Sequence, residues 1–219
     1  MALVVWSISK WRDFESCRAM FKAKHITKTW VDAPSPALEN GRRVHKAFEE
    51  AVKYGVQLPP EFVSFEPALE VFEGRRDVLT EYKFGLTRDM THCEFFAEDV
   101  WIRGALDLFV AKRDNPLFID YKTGRRKQEH ESDCEFYGAA VSAAYRFPRI
   151  VGQYWYVDDP KQSFARVVDD GAPIMERWAA LFDAAQGMID QDKMPPDPGP
   201  QCRWCGFAGC PHNRNEKLK

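Results

Sequence analysis

The chain has 219 residues, of which 45% are hydrophobic and 29% are charged, and its formal net charge at pH 7 is −2. This length and composition are typical of a globular protein with one sizeable domain, or with a domain and a small appendage, and the charge gives no general indication of a polyanionic partner. Since no apolar run approaches a membrane span and the N-terminus lacks a signal-peptide pattern, we expect a cytoplasmic protein without a membrane partner.

The first part of the chain is predicted to be helical, up to the two consecutive prolines Pro59 and Pro60. Apolar side chains at spacings of three and four residues predict one helix over about residues 8–24 and another over about residues 37–54, with a breaker at residues 32–36. A short helix is predicted near residues 67–73. The apolar stripe of the second helix consists of Leu38, Gly41, His45, Phe48 and Val52.

The chain then changes to strand patterns, beginning with alternating apolar residues from Val78 to Leu86. In chain order, the further predicted elements are strands at residues 94–97, 101–111 and 117–121, a helix at 131–146, a strand at 149–157, and a long amphipathic helix containing residues 174–188. This order predicts an α/β fold with a mixed central sheet flanked by helices.

Two of the predicted strands carry carboxylates in apolar surroundings. Asp107 follows Gly104 on one strand, while Asp120 and Lys122 end another. Because strand side chains alternate between faces, Asp120 and Lys122 are expected on the same face. Charged groups on an apolar strand are costly unless they have a use, and two carboxylates with a lysine beside them are suited to a divalent metal.

Three of the six cysteines lie close together near the C-terminus, at Cys202, Cys205 and Cys210. Disulfides are rare in the cytoplasm, so this spacing indicates a metal-binding knuckle. A fourth ligand could be His212, which gives a Cys₃His zinc site, or the distant Cys17, which gives a Cys₄ iron–sulfur cluster. The remaining two, Cys93 and Cys134, are expected to be buried thiols.

The order of the motifs resembles the PD-(D/E)XK nuclease superfamily, and more closely its RecB-like branch. The matching pieces are a glycine–histidine helix with Gly41 and His45, a Gly-x-x-Asp strand ending at Asp107, and an Asp-Tyr-Lys-Thr-Gly strand beginning at Asp120. The resemblance implies a restriction-endonuclease-like core within a single nuclease domain over residues 1–219. Its expected parts are a helical part at 1–60, the nuclease core at 61–192, and a cysteine knuckle and tail at 193–219.

The resemblance also implies roles for the residues of the motifs. Asp107 and Asp120 would bind Mg²⁺ or Mn²⁺ together with His45 and the carbonyl of Tyr121. Lys122 would orient or deprotonate the attacking water and offset charge on the scissile phosphate. A glutamate often precedes this pair of strands in the family, which gives Glu81 a supporting catalytic role.

One position departs from the family pattern. The next motif of the RecB-like branch is Gln-x-x-x-Tyr on a helix. The matching tyrosine here is Tyr137, for which a DNA-facing role is expected, but Asp133 stands where the glutamine is expected. The sequence therefore leaves the positioning of the substrate less defined than the metal site.

A subset of RecB-like nucleases is similar in its cysteines as well. The AddB-type subunits and the CRISPR-associated RecB-like exonucleases carry one N-terminal and three C-terminal cysteines around a structural [4Fe–4S] cluster. This similarity favours a cluster held by Cys17, Cys202, Cys205 and Cys210 over Zn²⁺, although Arg18 replaces a proline common in the family. The cluster would hold the two ends of the chain together.

The resemblance implies a metal-dependent DNA exonuclease that acts on single-stranded or frayed DNA ends in replication, recombination or repair, in a prokaryote or a phage-infected host cell. The candidates for phosphate contacts are Arg42, Arg43, Arg125 and Arg126. Two alternatives remain, a structure-specific endonuclease of the same superfamily and a non-catalytic DNA-binding module containing zinc. The oligomeric state is not predicted.

Overall fold

The computed structural model describes residues 3–31 and 35–215. Most of the predicted breaker at residues 32–36 lies outside the described residues. The chain forms two compact units, one of which is Ser35–Trp178, while the other combines the described parts of Met1–Pro34 and Ala179–Lys219. The expectation of one nuclease domain over residues 1–219 stays a prediction. None of the described helices is both long and apolar enough to cross a membrane.

The larger unit is built on a mixed sheet with the strand order β2-β1-β3-β4-β5-β6. Neighbouring strands are antiparallel, except that β4 and β5 are parallel. This sheet confirms the predicted α/β fold. The strands are β1 (Val78–Leu86), β2 (His92–Cys93), β3 (Ile102–Val110), β4 (Leu117–Lys122), β5 (Arg149–Tyr156) and β6 (Phe164–Asp169).

The sequence was misinterpreted at both edges of the sheet, with one wrong strand prediction and one strand missed. Residues 94–97 do not form a strand, because Ala97 N donates to Glu94 O and closes a turn, and β2 is the short segment His92–Cys93 before them. The strand β6 was not predicted at all. Only Val168 of β6 is fully buried, so this edge strand carries little of the alternation that marks a strand in sequence.

Helix α3 (Pro36–Tyr54) packs on this sheet, and its ends follow from local sequence. The Ser35 side chain accepts from Leu38 N, Pro36 fits the first helical turn, and Gly55 ends the helix with φ 64°. Val44, Phe48 and Val52 are the buried residues of α3 and belong to a core with Leu108, Ile119 and Tyr121 of the sheet.

The predicted stripe of α3 was therefore partly wrong. Phe48 and Val52 are buried as expected, but the third buried residue is Val44. Leu38 is 50% exposed, and Gly41 and His45 are only partly buried. These three residues lie on the face of α3 that is next to the buried face. Residues on both faces recur at spacings of three and four, so the spacing alone does not tell which face is buried.

The other helices of the larger unit that lie wholly within it are α4 (Glu66–Glu70), which follows a 3₁₀ turn at Pro60–Phe65, and α5 (Glu129–Tyr145). Glycines on the strand and the helix allow α5 to pack closely on β5 and β6. A Cβ at Gly152 would come within 2.7 Å of Cys134 Sγ, and one at Gly138 within 2.7 Å of Val168 Cγ2. Cys134 is a fully buried thiol, as expected.

The smaller unit contains α1 (Ile8–Ser16), α2 (Arg18–Phe21), a π-helical turn at Lys22–Ile26, and the part of α6 (Ala172–Asp190) from Ala179 onward. Its core is aromatic, with Trp6 stacked on Phe182 at 5.0 Å between ring centroids and on Phe21 at 5.7 Å.

The prediction of one helix over residues 8–24 was wrong at Cys17, which has extended backbone angles between α1 and α2. A second segment of the chain holds this break in place. Asp197 N donates to Cys17 Sγ at 3.4 Å, and Arg18 N donates to Asp197 Oδ2 at 2.9 Å. These long-range contacts replace helical hydrogen bonds that the local pattern predicts.

Candidate active site

Three side chains from three different elements of the larger unit converge on one point. His45 of α3 lies with Nδ1 3.0 Å from Asp107 Oδ1 on β3 and 3.8 Å from Glu81 Oε1 on β1. In the part of the chain that the structure describes, their ligand atoms form a group within 4.8 Å that could hold a metal ion. The carbonyl of Tyr121 adds an oxygen, since it lies 3.1 Å from His45 Nε2.

The strand register places a row of three carboxylates across β1, β3 and β4. Glu81 and Asp107 lie opposite each other between the ladder pairs Thr80–Leu108 and Tyr82–Leu106. One position beyond the ladder pair Leu108–Ile119, Asp107 lies opposite Asp120. Like charges at opposed positions destabilise a sheet unless a cation lies between them. The row is therefore a feature that the fold alone does not explain.

The backbone is distorted along this row of carboxylates. Glu81 has φ 49°, a left-handed conformation inside a strand, which costs a residue with a Cβ on the order of 1 kcal/mol. On the next strands, Tyr121 N donates to Asp107 Oδ2 at 2.5 Å, where the ladder between β3 and β4 has ended. Both distortions bring carboxylates toward His45 and Tyr121.

Asp120 and Lys122 lie on one face of β4, as the alternation predicts, with Lys122 Nζ 2.6 Å from Asp120 Oδ2. Asp120 is only 8% exposed. Its Oδ2 atom is buried against the Lys122 ammonium, at a distance but not at the angles of a regular hydrogen bond. A carboxylate has about four lone-pair positions, so Asp120 keeps acceptor capacity for a metal ion beside Lys122.

The charges of this cluster shift its pKa values. Burial raises the pKa of Asp107 to about 6, with a further contribution from the charge of Asp120. Burial disfavours the charged form of His45, but its contacts with Asp107 and Glu81 outweigh that effect and raise the pKa of His45 to about 10. Burial opposes the charge of Lys122 as well, yet the neighbouring Asp120 raises the pKa of Lys122.

Tyr137 lies on α5, beside the strand with the Gly-x-x-Asp motif. A Cβ at Gly104 would lie 2.8 Å from its ring, so the glycine of that motif makes room for Tyr137. Asp133, one helical turn earlier, is 8% exposed, and its charge contributes to the raised pKa of Lys122. The DNA-facing role of Tyr137 stays a prediction.

A groove that sequence reasoning missed lies beside the cluster, and we call it the site groove. Its volume is about 720 Å³. It shares His45 and Glu81 with the cluster of possible metal ligands. The sequence signal for this groove is the spacing of three and four residues at Leu38, Gly41 and His45. We interpreted that spacing as part of the core stripe of α3. The lining residues are Ala37, Leu38, Gly41, Arg42, His45, Lys46, Glu49, Glu81 and Thr123.

The cysteines of the predicted knuckle lie in the smaller unit, where the structure brings Cys17 near them. Burial raises the pKa of Cys205, and charges on Cys17, Cys210 and Cys202 contribute to that rise. Backbone N–H groups point at the sulfur atoms, from Gly199 to Cys202 Sγ at 3.4 Å and from Phe207 to Cys205 Sγ at 3.5 Å. His212 is exposed.

A mixed sheet with a row of carboxylates, a histidine and a lysine defines a class of protein, the metal-dependent nucleases. Sequence comparison agrees with that class. The family model of the PD-(D/E)XK nuclease superfamily matches residues 5–210, and the chain belongs to this superfamily.

Solved structures that are distantly similar to the chain include the following two, and no curated protein sequence matches it. One, described as SSO0001, has 13% sequence identity and a TM-score of 0.44, with 94% of this chain and 80% of the other covered. The second is from Eubacterium rectale and is described as a proposed exonuclease. It has 15% identity and a TM-score of 0.49, with 91% of this chain and 85% of the other covered.

Proposed function

We propose that this nuclease is a DNA exonuclease of the RecB-like branch that acts on single-stranded or frayed ends. The observation that carries the catalytic part of the proposal is the row of Glu81, Asp107 and Asp120 beside His45. The motif order supports the RecB-like branch. The site groove supports a single strand, because its volume lies in the range of small-molecule sites.

The residues that would hold the catalytic metal are His45, Asp107, Asp120 and the carbonyl of Tyr121, with Glu81 in a supporting position. Their oxygen atoms suit Mg²⁺, and the imidazole would favour Mn²⁺ somewhat more. When bound, the metal would lower the pKa of a water molecule and polarise the phosphoryl oxygen. His45 donates to two oxygens when protonated, so it must lose a proton before it can act as a ligand.

Lys122 would act on the phosphate and on the attacking water. Because Asp120 raises its pKa, the amine is protonated at neutral pH. That state suits Lys122 to orient the water and to offset charge on the scissile phosphate. Removal of the proton from water by Lys122 is the less favoured of the two roles that the resemblance implies.

In the smaller unit, we propose that Cys17, Cys202, Cys205 and Cys210 hold a [4Fe–4S] cluster. The resemblance in the cysteines supports this cluster over zinc, as does the nearness of Cys17 to the knuckle, since the charge of Cys17 acts on Cys205. The cluster would add its binding free energy to folding.

The test of the nuclease proposal is digestion of end-labelled linear DNA and of circular single-stranded DNA with Mg²⁺ or Mn²⁺. Blocking groups at the 5′ or the 3′ end would give the polarity. We expect release of nucleotides from free single-stranded ends and resistance of the circles, with cleavage lost in the variant Asp120→Asn.

Each other outcome contradicts part of the proposal. Cleavage of circles would favour the endonuclease alternative. Binding of DNA without cleavage by the wild-type protein would favour the non-catalytic module. Undiminished cleavage by Asp120→Asn would remove Asp120 from the catalytic site.

A further inference from the structure

The site groove runs along one stripe of α3 and begins at the candidate metal cluster. Its lining residues on the helix recur at spacings of one and three residues, from Leu38 to Glu49. From His45, at the cluster, to Leu38 the helix rises about 10 Å, which exceeds the distance between adjacent phosphates of one strand. The groove is thus long enough for the nucleotide next to a phosphate at the cluster.

Gly41 in the middle of this stripe has no structural explanation. Glycine inside a helix is unfavourable, by about 1 kcal/mol relative to alanine. A Cβ at this position would meet Thr123 Oγ1 at 3.8 Å, which is ordinary van der Waals contact. The backbone of α3 is regular here, so packing does not require glycine. An alanine would instead fill the gap between the helix and Thr123, and the glycine keeps that gap open.

Arg42 differs from the other arginines considered for phosphate contacts, Arg43, Arg125 and Arg126, because it lines the site groove. Arg43 pairs with Glu61 at 2.6 Å and lies over the ring of Phe62. Arg126 pairs with Glu131 and lies over Phe164. Arg42 is exposed, lines the site groove, and has no ion pair or hydrogen bond with the described residues. Its guanidinium is free to bind a phosphate in two hydrogen bonds.

We propose that the site groove binds the backbone of a single DNA strand on one side of the scissile phosphate. Arg42 contacts the next phosphate, and Gly41, which has no Cβ, lets the strand approach the backbone of α3 beside Thr123. This assignment rests on the proposed nuclease function, since the cluster sets the position of the scissile phosphate. The half-exposed Leu38 offers an apolar surface to a base at the far end.

The charges of the groove agree with this occupant. Arg42 is exposed and makes no ion pair with the described residues, whereas Lys46 lies 3.7 Å from Glu50 and Glu49 pairs with Lys53. Glu81 belongs to the cluster. A phosphate is therefore attracted to Arg42 and repelled by Glu81. The acidic end accepts a phosphate only together with a cation, so the strand would enter with its scissile phosphate at the metal and the following phosphate at Arg42.

The first experiment fills the gap at Gly41. Binding of a fluorescent single-stranded oligonucleotide is measured by anisotropy with Mg²⁺, in a Lys122→Gln background that prevents turnover and keeps the proposed metal ligands. We expect Gly41→Ala to raise the Kd about tenfold or more, while its urea midpoint is unchanged or higher because alanine favours the helix. The control is Gly187→Ala in α6, where a Cβ would meet no atom within 4 Å. Equal Kd values for Gly41→Ala and the parent would overturn the proposal.

The second experiment tests the contact of Arg42 with one particular phosphate. Oligonucleotides with a single uncharged methylphosphonate linkage, placed at each of the first positions from the end, are compared in the same assay. In the parent protein, a methylphosphonate at one of these positions should raise the Kd about tenfold. In Arg42→Gln the Kd for the unmodified oligonucleotide should be raised by a similar factor. A methylphosphonate at the same position should then raise the Kd of this variant by less than about twofold.

The control for Arg42→Gln is Arg113→Gln, which removes the same charge from an exposed turn of the same unit. An equal loss in both variants would show a general charge effect, and an undiminished methylphosphonate effect in Arg42→Gln would place the phosphate elsewhere. Either result overturns the contact. Because the readout is binding, the outcome stands even if the wild-type protein does not cleave DNA, whereas the proposed nuclease function is tested by cleavage alone.

Discussion

Glu81 shows how one residue can connect strain with function. Its left-handed backbone lies in the middle of β1 and turns a carboxylate toward His45. The sequence indicated Glu81 only through the family resemblance, because a glutamate on a half-exposed strand is otherwise ordinary. A positive φ cannot be predicted from a glutamate, since the residues that favour this conformation are glycine, asparagine and aspartate.

The strain at Glu81 can be separated from its charge by two substitutions. Glu81→Gln removes only the charge, while Glu81→Asn also places a residue that tolerates positive φ. We expect Glu81→Asn to be more stable than Glu81→Gln by about 1 kcal/mol, measured by urea unfolding without metal. Cleavage should fall in both. Equal stabilities of the two variants would mean that the backbone at Glu81 is not strained.

His130 provides a prediction about pH that does not involve a metal ligand. Burial and the nearby positive charge of Lys122 lower the pKa of His130 to about 4, and His130 Nδ1 contacts the hydroxyl of Tyr156. The folded state therefore keeps His130 neutral, while an unfolded histidine takes up a proton near pH 6.5. The contribution of neutral His130 to the free energy of unfolding is complete above about pH 6.5 and is lost as the pH falls toward 4.

The expected effect is measured by urea unfolding of the wild-type protein and of His130→Gln at pH 7 and pH 5. From pH 7 to pH 5 the free energy of unfolding of the wild-type protein should fall by about 1 kcal/mol more than that of the variant. This figure is reduced because the ring is partly exposed. An equal loss in both proteins would mean that His130 titrates normally in the folded state.

At the scale of the elements, the strand register was predicted better than the helix faces. The alternation of β4 correctly placed Asp120 and Lys122 on one face, because period two leaves no other choice. The same reasoning failed for α3, where the spacing of residues 38, 41 and 45 resembles a core stripe but lines the site groove. It also failed at β6, whose exposed residues carry no clear period.

The row of carboxylates across β1, β3 and β4 predicts a metal-dependent stability. Without a cation the like charges of the row repel one another and destabilise the folded state. Adding Mn²⁺ should therefore raise the free energy of unfolding, by about 2.7 kcal/mol when the Mn²⁺ concentration is one hundred times its Kd. Asp120→Asn should lose most of this increase, while Asp114→Asn in the exposed turn after β3 should keep it. Thermal unfolding with and without Mn²⁺ measures the difference, and an unchanged increase in Asp120→Asn would contradict a shared metal site.

At the scale of the whole molecule, the two compact units contain different kinds of site. The larger unit contains the candidate active site, and the smaller unit contains the four cysteines that we assign to a cluster. The sequence indicated both, because cysteine spacing and the order of the acidic motifs are local patterns. It did not indicate that Asp197 holds the break at Cys17, since that contact joins residues far apart in the chain.

The fourth ligand of the cysteine site is tested by substitution and metal analysis after anaerobic purification. We expect the wild-type protein to contain iron, and Cys17→Ser to lose the iron and to unfold at a lower temperature because the binding free energy is removed. Cys93→Ser, a half-buried thiol outside the knuckle, should keep its iron. A protein that contains zinc, and loses it in His212→Ala but not in Cys17→Ser, would favour the Cys₃His alternative.

The smaller unit is assembled from both ends of the described chain, with Gln201 Nε2 bonded to Ser16 O at 3.0 Å. A chain that leaves the ribosome N-terminus first exposes Cys17 long before Cys202, Cys205 and Cys210 are synthesised. Ser35–Trp178 emerges in between, and domains generally fold as units during synthesis. Prosthetic-group insertion would therefore follow the synthesis of the larger unit, and a nascent chain arrested before Cys202 would retain the nuclease residues while lacking three of the four proposed cluster ligands.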